Sequence, residues 1–210
     1  MKKFMAGLLV SASILGFVAT ASAAETDNGD GTKVVTEAGT STVPVQGTLG
    51  ADNSKPDAGI DEGNTDWVNV TVPSTTLFYS AGTATTIKSP TYTIENHSGR
   101  PVTVSVDSFN SQAAGGDLSK VASLNVALDA HLGSATTNVP VIDGGTPKGN
   151  AIGTKIGELA NSEGKLTASG TAGQATALTF GYSGSFAKGV VTSPITEMYD
   201  LGLKFTPTKW

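Results

Sequence analysis

Valine recurs at every second position in two stretches of this chain, Val68-Asn69-Val70-Thr71-Val72 and Val102-Thr103-Val104-Ser105-Val106. Side chains two positions apart share a face only when the backbone is extended. The pattern therefore predicts strands with one apolar and one polar face. The same period returns in residues 91–95, with Tyr92 and Ile94 on the apolar side, and in Leu124, Val126 and Leu128. It returns again in Leu178, Phe180 and Tyr182, and in Tyr199, Leu201, Leu203 and Phe205. Residues 118–132, the best helical candidate, carry their apolar positions at strand spacing. Strands recurring about every ten to fifteen residues between turn signals imply an all-β chain. The expected architecture is a single antiparallel β-sandwich with a flexible N-terminal arm.

The finer reading assigns a partner or a face to each segment. Asn96-His97-Ser98-Gly99-Arg100 has turn chemistry, so residues 91–95 and 102–106 are expected to pair as a β-hairpin, with Phe109 following. Residues 67–72 are expected to form one strand ended by Pro73, and Leu77-Phe78-Tyr79 is a short apolar run. Residues 133–150 read as loop around a Val139-Pro140-Val141-Ile142 run. Residues 152–159 read equally as strand or helical turn, and residues 166–171 as a strand. The expected core is Val70, Val104, Leu124, Val126, Leu128, Phe180, Leu203 and Phe205.

The N-terminus carries an export signal. Lys2 and Lys3 precede an uncharged apolar stretch over residues 4–19, and Ala21-Ser22-Ala23 is a small-x-small cleavage site. The stretch is short for a membrane span of about 20 apolar residues. The expected domains are a signal peptide (1–23), a flexible acidic arm (24–42) and a β-sandwich domain (43–210). The chain has no cysteine, which excludes a lipoprotein anchor and disulfide staples. A mature chain of about 187 residues buries roughly 70% of its unfolded surface without them.

Charge and composition narrow the chemistry. Cleavage removes two lysines and takes the formal charge from −5 to −7. An acidic surface opposes nucleic acid and anionic lipid, and Arg100 is the only arginine. No nucleic-acid partner and no stable membrane span are expected. Cysteine nucleophiles are excluded, the Gly-x-Ser-x-Gly elbow is missing, and Gly181-Tyr182-Ser183-Gly184 does not replace it. The two histidines, His97 and His131, read as solvent-facing loop residues. The acidic loops around Asp27 and Asp30, and around Asp52, Asp57, Asp61 and Glu62, lack the spacing of an EF-hand. Trp67 and Trp210 read as packing residues rather than sugar platforms. The chain is expected to be no enzyme and to hold no cofactor or metal.

Residues 43–49 form the candidate assembly strand, through Val43, Val45 and Leu49. The segment has strand-like residues but little apolar area, so it must pair with a sheet edge. Pairing in cis is favoured over pairing with a neighbour, because it avoids the entropy of association.

The run Val68-Asn69-Val70-Thr71-Val72-Pro73-Ser74-Thr75-Thr76-Leu77-Phe78-Tyr79, continued by residues 89–106, resembles a strand-Pro-strand pattern in secreted surface proteins of Firmicutes. These include proteins encoded near WxL-type cell-wall proteins, and the camelysin and biofilm-fibre proteins. The resemblance covers about forty residues. Trp67-Val68-Asn69 departs from the WxL motif in lacking its leucine. The resemblance implies a β-sandwich at the cell surface or in extracellular matrix. No hydrophobic or basic tail follows Phe205, which points to release, noncovalent retention or polymerisation. The expected function is a secreted, non-catalytic structural protein of the bacterial surface or matrix, able to self-assemble. The alternative is a carbohydrate- or cell-wall-binding module. The partners are then a cell-wall polymer, other surface proteins or further copies of the chain.

Overall fold

The computed structural model describes residues 25–28, 32–36, 43, 45, 47–114 and 116–210. The expected signal peptide lies outside the described residues. The chain divides into two compact units, Met1–Gly47 and Thr48–Trp210.

In the first unit, β1 (Glu25–Asp27) and β2 (Lys33–Val35) pair antiparallel, Glu25 opposite Val35. The Asn28 backbone N–H donates to the Thr32 carbonyl at 3.0 Å, and its side-chain amide donates to Thr32 Oγ1. Part of the expected flexible arm is thus a short hairpin. Its β-branched Thr26, Val34 and Val35 suit extended backbone.

The second unit is the antiparallel sandwich that the alternation implies. One sheet has six strands in the order β3-β4-β10-β6-β7-β8: β3 (Val70–Thr71), β4 (Tyr92–Asn96), β6 (Asn125–Leu132), β7 (Ala135–Asp143), β8 (Thr146–Pro147) and β10 (Ala177–Ser185). The other has three, in the order β11-β5-β9: β5 (Val102–Ser111), β9 (Thr154–Leu159) and β11 (Tyr199–Pro207). The inward faces form one core around Ile94, Val104, Val106, Leu128, Leu159, Leu178 and Phe180. Of the expected core, Val104, Leu124, Val126, Leu128 and Phe180 are buried. Val70, Leu203 and Phe205 are half-buried and pack against it. All three lie on edge strands, β3 and β11, which are covered less completely than interior ones.

The expected hairpin between residues 91–95 and 102–106 does not form. β4 and β5 belong to different sheets, so the turn between them crosses the sandwich. The cause is the Asn96 side chain, which is buried. Its amide donates to the carbonyls of Arg100 (3.0 Å) and Ala160 (2.8 Å), and its oxygen accepts the Ser98 N–H. Ser98 Oγ in turn accepts the Asn69 N–H at 2.9 Å. Turn-forming residues here face inward, and the apolar faces of β4 and β5 meet across the core instead of lying side by side.

A tight hairpin does form at β6–β7, where Leu132 opposes Ala135 across Gly133-Ser134. Gly133 has φ 59°, the left-handed conformation that two-residue hairpin loops demand. The expected loop over 133–150 is thus mostly strand. The ambiguous residues 152–159 resolve as β9. The expected strand over 166–171 is absent; Gly170 N–H closes a turn on Thr167. The expected strand over 67–72 shrinks to β3, because residues Thr65–Trp67 make a 3-10 turn capped by the Asn64 side chain. Trp67 is drawn into the interior there, donating its indole N–H to the Asp61 carbonyl at 3.0 Å.

Neither sheet contains a strand from residues 43–49. Val43, Val45 and Leu49 lie outside any strand, 70%, 89% and 99% exposed. Pro44 and Gln46 of the candidate assembly strand lie outside the described residues.

Candidate functional site

The site begins with a break in the period of β5. Val102, Val104 and Val106 face the core, so strict alternation would turn Phe109 outward. Between Val106 and Ser108 the register against β11 slips by one residue, with Asp107 as the extra residue of a bulge. A bulge re-aims the residues beyond it, and Phe109 returns to the interior, 2% exposed. There it stacks on Tyr199 at the start of β11, with ring centroids 5.0 Å apart.

Around these two rings lies a cleft of about 770 Å³ at one end of the sandwich, where β5 and β10 finish and β6 and β11 begin. Its walls include Phe78, Phe109, Tyr182, Phe186, Tyr199 and Leu201. Two irregular stretches complete it, residues 76–87 and 186–198. The first is tied to the six-stranded sheet: the Leu77 N–H donates to the Tyr92 hydroxyl at 2.7 Å, and Ile87 N–H to the Gly184 carbonyl at 2.9 Å. Thr76 Oγ1 and the Tyr182 hydroxyl share a hydrogen bond of 2.9 Å, and burial pushes the Tyr182 pKa up. The second stretch is held by Glu197, whose carboxylate accepts the Leu118 N–H at 2.9 Å and the Ser111 hydroxyl.

Three properties characterise the cleft. Its walls are apolar and aromatic, within the size range of small-molecule and side-chain pockets. Exposed large apolar residues gather at its mouth: Leu77, Tyr79 and Met198 line it, and Val190 sits between two lining residues. Clustered exposure of this kind marks interaction surfaces. The carboxylate of Glu197 is already committed to two donors. The Tyr199 hydroxyl is buried without a hydrogen-bond partner among the described residues. Burial, together with the nearby Glu197 charge, pushes its pKa far above the ordinary tyrosine value.

The other residues singled out above fall elsewhere. His97 Nε2 lies 3.0 Å from Thr71 Oγ1 and 4.0 Å from Glu95 Oε2. A relay needs hydroxyl and carboxylate on opposite ring nitrogens; here both approach the same one. His131 sits on β6 rather than in a loop, exposed, with Nδ1 3.0 Å from its cross-strand neighbour Thr136 Oγ1. No group of three or more metal-ligating side chains occurs among the described residues. Trp67 and Trp210 both stack on Arg100, whose guanidinium carbon lies 4.1 Å and 4.5 Å from their ring centroids. Arg100 is itself paired with Glu62, its Nε donating to both carboxylate oxygens at 3.0 and 3.1 Å.

The cleft escaped the sequence reading because most of its lining lies in loops that follow no period. One signal is present: residues 73–87 and 189–196 carry no charge yet hold Leu77, Phe78, Tyr79, Ile87, Val190, Val191 and Ile195. Apolar residues in uncharged, non-alternating loops must line something.

No family model, no curated protein and no solved structure matches this chain.

Proposed function

We propose that this chain is a secreted, non-catalytic protein of the bacterial cell surface or extracellular matrix that works by holding a partner in its end cleft. The observation that carries this reading is the cleft's composition. Five aromatic rings, Phe78, Phe109, Tyr182, Phe186 and Tyr199, and the apolar residues exposed at the mouth offer a partner contact area and exclusion of water. The export signal read in the sequence supports a site of action outside the cytoplasm.

The two tryptophans do not support the carbohydrate-binding alternative. A sugar platform needs an exposed aromatic face. The two tryptophans are instead engaged by the only arginine, and Trp67 is fully buried. An apolar polypeptide partner suits the cleft better.

The test is retention. Mature protein added to a washed cell-surface and matrix fraction should sediment with it, and a folded Leu77→Asp variant should remain in solution. Wild-type protein that stays wholly in the supernatant would remove this reading.

A further inference from the structure

We infer that the cleft opens along one seam, between residues 186–198 and the wall over 116–124, and that the Glu197 carboxylate is the latch that holds this seam shut. This rests on the reading of the cleft as a binding surface, and adds how a partner gains entry.

The two irregular walls of the cleft are held differently. Residues 76–87 are tied along their length. Tyr79 and Lys88 exchange both backbone hydrogen bonds, at 2.9 and 2.8 Å, and Ile87 N–H donates to the Gly184 carbonyl. Residues 186–198 are tied only at their ends among the described residues. At one end the Phe186 N–H donates to the Thr85 carbonyl (3.0 Å) and the Ala187 N–H to Ser123 Oγ (2.9 Å). At the other the Met198 carbonyl accepts the Gln112 N–H at 2.9 Å. Between them, residues 188–196 make no hydrogen bond of ordinary geometry. A Cβ on Gly189, where φ is 81°, would meet open space. A stretch with so few bonds opens more easily than the sheets around it. Its hold on the core is apolar contact through the half-buried Val191 and Ile195. An apolar partner buries surface of the same kind and can replace them.

Glu197 crosses the seam. One carboxylate oxygen accepts the Ser111 hydroxyl at the end of β5. The other accepts the Leu118 N–H, in the 3-10 turn Asp117–Lys120, at 2.9 Å. Hydrogen bonds to an ionised acceptor are stronger than neutral ones. Gly116 makes room for the carboxylate, since a Cβ there would overlap it. Leu118, Val121 and Leu124 line the cleft on one side of this stitch, Val191 and Ile195 on the other.

Closure also carries a penalty. The Tyr199 hydroxyl is buried beside Glu197 without a hydrogen bond of ordinary geometry. A desolvated hydroxyl opposes the closed form, and the bonds to the carboxylate favour it. Opposed contributions keep the two forms close in free energy. A partner that binds only the open form then shifts the population toward it. Once the seam is open, the hydroxyl is a donor that a partner's backbone carbonyl can accept.

Nile red, a neutral apolar dye, reads the opening by its fluorescence, and amide exchange of Leu118 reads the latch. Glu197→Ala should bind the dye about tenfold more tightly than wild type, or more, the equilibrium factor of one hydrogen bond to a charged group. Its Leu118 amide should exchange faster to a similar degree. Gly116→Ala keeps the charge but displaces it, and should do the same. Adding Leu77→Asp to either should cancel the gain. Circular dichroism checks that these variants fold; if they do not, a Gly116→Cys, Glu197→Cys double variant decides. The chain has no cysteine, and the overlap of Glu197 with a Cβ at position 116 brings the two thiols within disulfide reach. Oxidised, this protein should bind the dye no better than wild type. Reduced, it should bind it as tightly as Glu197→Ala is expected to. Equal binding by the two redox forms, an unchanged Leu118 exchange rate in Glu197→Ala, or a dye gain that survives Leu77→Asp would overturn the latch. None of these outcomes touches the reading of the cleft, which stands or falls on retention of wild type by the matrix fraction.

Discussion

The guanidinium carbon of Arg100 lies 4.1 Å from the ring centroid of Trp67, and Trp210 covers its other face. A cation between two aromatic faces gains roughly 0.5–2 kcal/mol from each. Arg100 is almost fully buried, and its Nη1 also donates to the Pro56 carbonyl at 2.8 Å. The arrangement ties residues 56–67, the β4–β5 crossing and the C-terminal residue into one knot. Arg100→Ala should lower the unfolding free energy by about 3 kcal/mol. Arg100→Lys should recover only part of it, because an ammonium has neither the planar stack nor the fork. Urea unfolding of the three proteins measures the difference.

Acid should loosen that knot in a defined way. Hydrogen bonds from Arg100 hold the Glu62 carboxyl below the usual carboxylate range. A carboxyl whose folded pKa is depressed contributes stability above its unfolded pKa, lost as pH falls through the folded one. Glu62→Gln should therefore be less stable than wild type at neutral pH, and the gap should close as the pH drops below the ordinary carboxylate range. Thermal unfolding across pH checks this; a gap that widens in acid refutes it.

Asn96 holds the crossing between the sheets through two backbone carbonyls and one backbone N–H. Asn96→Ala strands the carbonyls of Arg100 and Ala160 in the interior, where each unmade bond costs about 1–3 kcal/mol. Asn96→Asp should be worse, because a carboxylate would face two carbonyl oxygens. Calorimetric melting should rank wild type above the alanine variant, and that above the aspartate variant.

Phe180 is 1% exposed and meets Tyr182 edge-on, with centroids 6.2 Å apart. Phe180→Ala should cost about 3–5 kcal/mol. A loss below about half a kcal/mol, the range of surface changes, would mean that this face of β10 points elsewhere.

Tyr199 makes the opposite kind of prediction. Its hydroxyl is buried beside the Glu197 carboxylate without a hydrogen bond of ordinary geometry, so Tyr199→Phe removes a desolvated group at the loss of a weak contact at most. Stability should hold or rise by up to about 1 kcal/mol. Ultraviolet titration of wild type should show tyrosines ionising above the normal range, and the variant should lose the transition that lies highest.

What the amino-acid order determined by itself was local. Valine at alternate positions in β5, and Leu178-Phe180-Tyr182 in β10, oblige extended backbone with one buried face, whatever surrounds them. Lacking any window of helical period, the chain had no class of fold but all-β. Gly133-Ser134 read as the head of a loop, and only the pairing of β6 with β7 made it a two-residue hairpin. Tertiary structure decided which strands pair. Asn96-His97-Ser98-Gly99-Arg100 has the composition of an exposed turn, and only the carbonyls of Arg100 and Ala160, brought near the Asn96 amide, make it a buried crossing. The phase of Phe109 depended on a bulge at Asp107, created by pairing with a strand about ninety residues later in the sequence. The cleft depended on both. Its lining comes from five separated stretches whose apolar residues share no period, and no local pattern can report a surface that exists only when distant segments meet.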